Sequence, residues 1–230
     1  LQVRGSGDTS LKAQELAASV IAILAGDSEN NVKQVNQFGG IKPLVSLLAC
    51  QSGAAQARAA CALSYMARSS KEIQNTVAKE GALEFLVNLL QPMEEVATGG
   101  TLDGRLEAAR ALYSISMNNK ETTTKIYEMN AIGPLVKLLR EQSPDAQKNG
   151  ADALGSLAVG SKEIQDSIAK AQGITPLVDM LKPVELVKKE EKKEELGKTP
   201  KKDKKKKEKK EEEEVVPEVV SDDTVPAHAA

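Results

Sequence analysis

Few residues in this chain are equipped for chemistry. Its one histidine, His228, sits near the C-terminus, and its two cysteines, Cys50 and Cys61, show no spacing of a metal or disulfide framework. A zinc site needs a cluster of such ligands, and Ser-His or Cys-His catalysis needs an ordered imidazole. Neither is on offer, so no cofactor, metal or small-molecule substrate is expected, and both cysteines are read as buried free thiols. The nearest approach to a phosphate loop is Gly99, Gly100 and Gly104, but Arg105 and Leu106 follow where such a loop needs Lys and Ser or Thr. No strand-like run precedes it, so a mobile loop is the expected reading. What remains is a set of polar and charged side chains suited to binding, and the elements that carry them decide what they can bind.

Those elements repeat. GGIKPLVSLL at 39–48 returns as GALEFLVNLL at 81–90, NAIGPLVKLL at 130–139 and QGITPLVDML at 172–181, at offsets of 42, 49 and 42 residues. The interval from mid-helix to the next Leu-Val pair is 23 residues in all four copies: Ile21 to Leu44, Leu63 to Leu86, Leu112 to Leu135 and Leu154 to Leu177. A period in this range belongs to helical solenoids, whose units bury their apolar faces against one another. Function is therefore expected on a surface and not in a pocket.

Within each copy the columns predict three helices. Ser28, Ser70, Asn119 and Ser161 can each accept a hydrogen bond at a helix start. Glu72, Glu121 and Glu163 follow two residues later and place negative charge at the positive end of a short first helix. A small residue, Gly40, Ala82, Ala131 or Gly173, marks a tight turn. Pro43, Pro134 and Pro176 then fit the first turn of a second helix, with Phe85 as the exception. A third helix begins after Ser52-Gly53 and after Ser143-Pro144-Asp145 and runs through Ala-rich sequence. The 49-residue interval contains one insertion of seven residues between Gln91 and Gly104, in the loop between second and third helices. Residues 1–10 read as a flexible lead-in, with Ser10 capping the first helix.

Gly-Gly-Ile-Lys-Pro-Leu-Val-Ser-Leu-Leu followed by Ala-Ala-Cys-Ala-Leu resembles the armadillo repeat over Leu11 to Leu181. The resemblance implies an all-α, right-handed superhelical solenoid of three-helix repeats spanning 11–183. It comprises the third helix of a partial repeat, three full repeats at 28–69, 70–118 and 119–160, and a partial repeat at 161–183. It also implies a concave groove, lined by third helices, that binds extended segments of partner proteins. HEAT repeats are the nearest structural rival, and the Gly-Ile-x-Pro turn argues against them.

In armadillo proteins of the importin-α type, third helices present an Asn ladder and a Trp ladder to the ligand. The Asn positions here are Ile23, Tyr65, Ser114 and Ser156, and the Trp positions are Ser19, Cys61, Arg110 and Asp152, so neither ladder is present. That disfavours a nuclear-transport adaptor. The groove residues the resemblance implies are these eight together with Arg58; Tyr65, Ser114 and Ser156 can hydrogen-bond, and Arg110 can pair with a carboxylate. Arg58, Arg110, Lys148 and Asp152 mix signs, which leaves no charge preference to read.

Composition fits this picture. With two Phe, three Tyr and no Trp, packing falls to small aliphatic residues, which suit helices lying close together. No apolar run is long enough to span a membrane and no signal peptide is visible, so a cytoplasmic or nuclear protein is expected. The chain opens on Leu1 instead of Met, which points to a fragment or a processed product. Its uncapped first repeat predicts either a longer N-terminal form or self-association of that end. Residues 184–230 form a Lys/Glu-rich tail, expected to be helical at first, with Leu186 and Val187 covering the last repeat, and then disordered. Its basic block, Lys201, Lys202, Lys204, Lys205, Lys206, Lys207, Lys209 and Lys210, is a candidate nuclear-targeting signal or contact for acidic surfaces. It lacks aromatic residues for base stacking, so nucleic-acid binding is not expected. The reading is a non-enzymatic protein-interaction scaffold; the alternative is the substrate-recognition part of a larger ubiquitin-ligase-type enzyme.

Overall fold

The computed structural model describes residues 6–26, 28–95, 97 and 99–182, all within one compact unit, Leu1–Val187. Among them are twelve helices and no strand. The first helices of the repeats are α2 (Glu29–Gln37), α5 (Lys71–Lys79), α8 (Lys120–Glu128) and α11 (Lys162–Lys170). The second are α3 (Ile41–Leu48), α6 (Ala82–Leu89), α9 (Ile132–Leu138) and α12 (Ile174–Met180). The third are α1 (Ser6–Gly26), α4 (Gly53–Ala67), α7 (Leu102–Ser116) and α10 (Pro144–Ala158). The described residues form an all-α solenoid of three-helix repeats. Helix α1 takes in Ser6 to Thr9, which the sequence places in a lead-in, and Ser10 is inside the helix instead of capping it. Once a helix is nucleated each further residue adds a hydrogen bond, so turn-forming composition alone did not stop it.

The capping columns fold as local chemistry dictates. The side chains of Ser28, Ser70, Asn119 and Ser161 accept from the backbone N–H groups of Asn31, Ile73, Thr122 and Ile164, at 3.3 to 3.4 Å. Ser52, Thr101 and Ser143 do the same for the third helices. Between first and second helices the chain turns through a left-handed residue in every copy: Gly39 (φ 71°), Gly81 (86°), Asn130 (59°) and Gln172 (60°). The next N–H then reaches back to the first helix, Gly40 to the Val35 carbonyl at 2.8 Å and Gly173 to the Ile168 carbonyl at 2.9 Å. A Cβ on Gly40 would stand 2.6 Å from Val35 Cγ1, so this copy has no room for a side chain there, whereas the same column holds fully buried Ala82 and Ala131 in two other copies. A side chain in the left-handed region costs roughly 1 kcal/mol. Gln172→Gly should therefore raise the unfolding midpoint by about that much free energy, read by denaturant titration, whereas Gly81→Gln should lower it.

The core is one continuous seam along the third helices. Helix α4 packs between α1 and α7, and α7 between α4 and α10. Alanines line these contacts: Ala55, Ala59, Ala60, Ala62, Ala108, Ala109, Ala111 and Ala153 have no exposed surface, which lets the helix backbones approach closely. Leu63, Leu112 and Leu154, the mid-helix anchors of the repeat, fill the space beneath them.

The insertion between α6 and α7 is drawn together at its base rather than forming the loose loop expected. The Gly100 N–H donates to the Gln91 carbonyl at 2.8 Å, and Glu95 pairs with Lys137 of α9. Its glycines serve backbone approach, not phosphate: a Cβ would lie 2.5 Å from the Gln91 oxygen at Gly99 and 2.5 Å from the Leu89 oxygen at Gly100. Arg105, where a phosphate loop would need Lys, is buried and structural. Its Nε donates to the Leu90 carbonyl at 3.2 Å, and Nη1 pairs with Glu141 at 2.7 Å. Gln56 and Gln147 occupy the same repeat position and likewise reach back, Gln56 to the carbonyls of Leu48 and Cys50 and Gln147 to that of Glu141, at or just past the end of the second helix.

Candidate peptide-binding groove

The two groove columns diverge along the solenoid. Ile23 is 75% exposed and Tyr65 is half-buried, but Ser114 has no exposed surface. The Ser114 Oγ lies 3.1 Å from the Ser64 Oγ on α4 and donates to the Arg110 carbonyl at 3.1 Å, while its own carbonyl accepts from Gln74 Nε2 at 2.9 Å. Ser114 is thus withdrawn from the groove and joins α4 to α7. Ser156 is half-buried and held 2.9 Å from Ser116 Oγ, joining α7 to α10. A short hydroxyl at this position finds a neighbouring third helix within reach, whereas a long side chain projects past it.

Ser19, Cys61, Arg110 and Asp152 form the other column. Ser19 donates back to the Glu15 carbonyl at 3.1 Å, and Asp152 pairs with Lys148 one turn earlier at 2.9 Å. Arg110 reaches from α7 to α4. Its Nη2 donates to Cys61 Sγ at 2.9 Å and pairs with Glu107, and its guanidinium stands 5.0 Å from the centre of the Tyr65 ring. Arg68 approaches the same ring at 6.0 Å. Arg110 Nε is buried with no hydrogen-bond partner among the described residues. Arg110 does pair with a carboxylate, but with that of Glu107 on its own helix, so it is engaged within the fold.

Burial pushes the Cys61 thiol above its ordinary value, and nearby Glu107 adds to this against the opposing pull of Arg110. Burial likewise raises Glu107, with Arg110 acting the other way. Burial works against the charge of Arg110, but Glu107 and Cys61 outweigh it, so its affinity for the proton rises. A thiol held protonated is a poor nucleophile. Both cysteines are free, as expected, but half-buried where full burial was expected, because each lies at the margin of the seam and not inside it.

Between α1 and α4 the surface opens into a groove of about 470 Å³, lined by Ser19, Ala22, Ile23, Gly26, Arg58, Cys61, Tyr65 and Arg68. Gly26 leaves the Tyr65 ring open on one side, 3.9 Å from where a Cβ would be. Sequence reasoning missed Arg68, the C-cap of α4, because the column comparison stopped at Tyr65. Among the described residues no helix is long and apolar enough to cross a membrane, and no group of His, Cys, Asp and Glu is placed to hold a metal ion. The Lys201 to Lys210 block, His228 and the expected cover by Leu186 and Val187 lie outside the described residues.

A family model for the Armadillo/beta-catenin-like repeat matches residues 28–68. No curated protein matches the chain. Among solved structures, a crystallised engineered protein is 30% identical with a TM-score of 0.69, over 77% of this chain and 69% of that one. A designed armadillo repeat protein solved in complex with the peptide (KR)4 is 27% identical with a TM-score of 0.67, over 80% of this chain and 72% of that one. The armadillo-repeats-only protein of Plasmodium falciparum shares the fold at 18% identity, with a TM-score of 0.60 over 72% and 71% of the two chains. With the turn and capping columns kept through every copy, the proline in three of the four and the third helices stacked in one seam, the chain belongs to the armadillo repeat family.

Proposed function

We propose that this protein is a non-catalytic interaction scaffold that holds an extended segment of a partner protein along the face formed by its third helices. The observation that carries this reading is the groove between α1 and α4, where exposed Ile23 and the half-buried Tyr65 ring lie beside arginines on a rigid helical seam. Aromatic and Arg side chains held in place by packing are the groups that dominate protein-protein affinity. Designed armadillo repeat proteins made for modular peptide recognition, one of them bound to (KR)4, support the same use of the fold.

The test is comparative capture from lysate. Ile23→Asp/Tyr65→Ser should lower the amount of co-purified partner at least about tenfold, while Lys33→Glu on α2 leaves it unchanged. Charge reversal at Arg110 is a poor probe, because it would set two carboxylates together at Glu107 and disturb α7. Capture unaffected by the groove variant would place the site elsewhere.

A further inference from the structure

The groove between α1 and α4 carries a charge preference that the sequence columns hide. Of its lining residues only Arg58 and Arg68 are charged. Both are exposed, and neither pairs with a carboxylate among the described residues. Ten residues apart on one helix, they stand about 15 Å from each other along the axis of α4, with Cys61 and Tyr65 between them. The other cation in the neighbourhood, Arg110, is neutralised by Glu107. The cations that give the sequence its mixed sign elsewhere are likewise satisfied, Lys148 by Asp152 in particular. Among the described residues this leaves a net of two positive charges at the groove, Arg58 within electrostatic reach of Glu107 and Arg68 in no ion pair with a described carboxylate, one at each side of an apolar shelf made of Ile23 and the Tyr65 ring.

We propose that this groove selects acidic-apolar peptide segments: an apolar side chain seated on Ile23 and Tyr65, flanked by Asp or Glu side chains that meet Arg58 and Arg68. This rests on the peptide-binding reading above and names its partner class. The chemistry is complementary on both counts. Guanidinium groups take carboxylates through paired N–H donors, and Arg68 stands 6.0 Å from the centre of the Tyr65 ring, so a carboxylate it holds lies beside the apolar seat. A Lys- or Arg-rich segment would meet like charge at both edges, so the preference is opposite in sign to the (KR)4 peptide seen on a designed relative. The sequence concealed this because Arg58 and Arg68 occupy positions held by Leu16, Glu107 and Asn149 in one column and Gly26, Met117 and Val159 in the other. The pair of arginines occurs on one third helix only, α4.

The experiment is selection of a random 12-residue peptide library on the intact 230-residue chain, followed by fluorescence anisotropy on the enriched peptides. Peptides combining Asp or Glu with apolar residues are expected. Their affinity should fall at least about tenfold in Arg58→Glu/Arg68→Glu and less in Arg58→Gln/Arg68→Gln, and should weaken as salt rises. The equally charged control Lys42→Glu/Lys162→Glu, on second and first helices, should bind as the wild type does. Circular dichroism confirms that each variant is folded, and the Gln pair preserves the test should the Glu pair unfold. Enriched peptides that are neutral or basic, yet lost in Ile23→Asp/Tyr65→Ser, would overturn the acidic preference while leaving the groove as the binding site. Acidic peptides insensitive to both arginine pairs would also overturn it. Failure to enrich any peptide would count against both readings.

Discussion

Asn119→Ala should destabilise the protein by about 2 to 4 kcal/mol, and Asn119→Ser should recover only about 1 kcal/mol of that. Asn119 has two jobs. Its Oδ1 caps α8 by accepting from the Thr122 N–H, as serines do in the other copies. Its Nδ2 donates to Gln74 Oε1 at 3.0 Å and Asn75 Oδ1 at 2.8 Å on the first helix of the preceding repeat. Gln74 in turn donates to the carbonyls of Ser114 and Met117 at 2.9 and 3.2 Å. Asn119 and Gln74 are almost wholly buried, so truncation leaves acceptors that water cannot reach. Serine restores the cap but cannot span the repeats. Urea titrations of the three proteins give both differences. Equal stability of the Ser and wild-type proteins would show that the inter-repeat bonds contribute nothing.

The contrast between those two jobs shows what the sequence could and could not reveal. The capping role was legible because it depends on residues three apart, as were the tight turn, the proline positions and the three-helix unit; the left-handed residue of each turn lies one position before the small residue that marks it in the sequence. The Asn119-Gln74 bridge spans 45 residues and has no sequence pattern of its own. Ser114 and Tyr65 share a column, yet Ser114 turns inward because Ser64 happens to lie opposite, a contact made 50 residues away. Arg105 directly follows a glycine-rich insertion that invited comparison with a phosphate loop. Its actual partner is the end of the preceding helix, reached also by Gln56 and Gln147. Repeat position therefore placed the third-helix columns, and which of their side chains remain free followed only from contacts between repeats.

Leu112→Ala tests the seam itself. Leu112 has no exposed surface and sits in the middle of α7, which packs on both α4 and α10. Its truncation should cost about 3 to 4 kcal/mol from lost burial and the cavity left behind. Because a solenoid is coupled only through nearest neighbours, damage at the centre should also split the denaturation curve into two phases. Ile21, at the matching position in α1, is only partly buried, and Ile21→Ala should cost about 1 kcal/mol with a single transition. Equal losses and unchanged cooperativity in the two variants would argue against a seam that carries stability from repeat to repeat.

The decisive measurement on binding is residue-resolved NMR of the isotope-labelled chain, titrated with the peptide that it captures most tightly. Amide and side-chain signals of Ile23, Arg58, Tyr65 and Arg68 are expected to move first and furthest. Shifts confined to first-helix residues such as Lys33, Glu72 and Lys162, with the third helices silent, would contradict a groove built on α1 and α4.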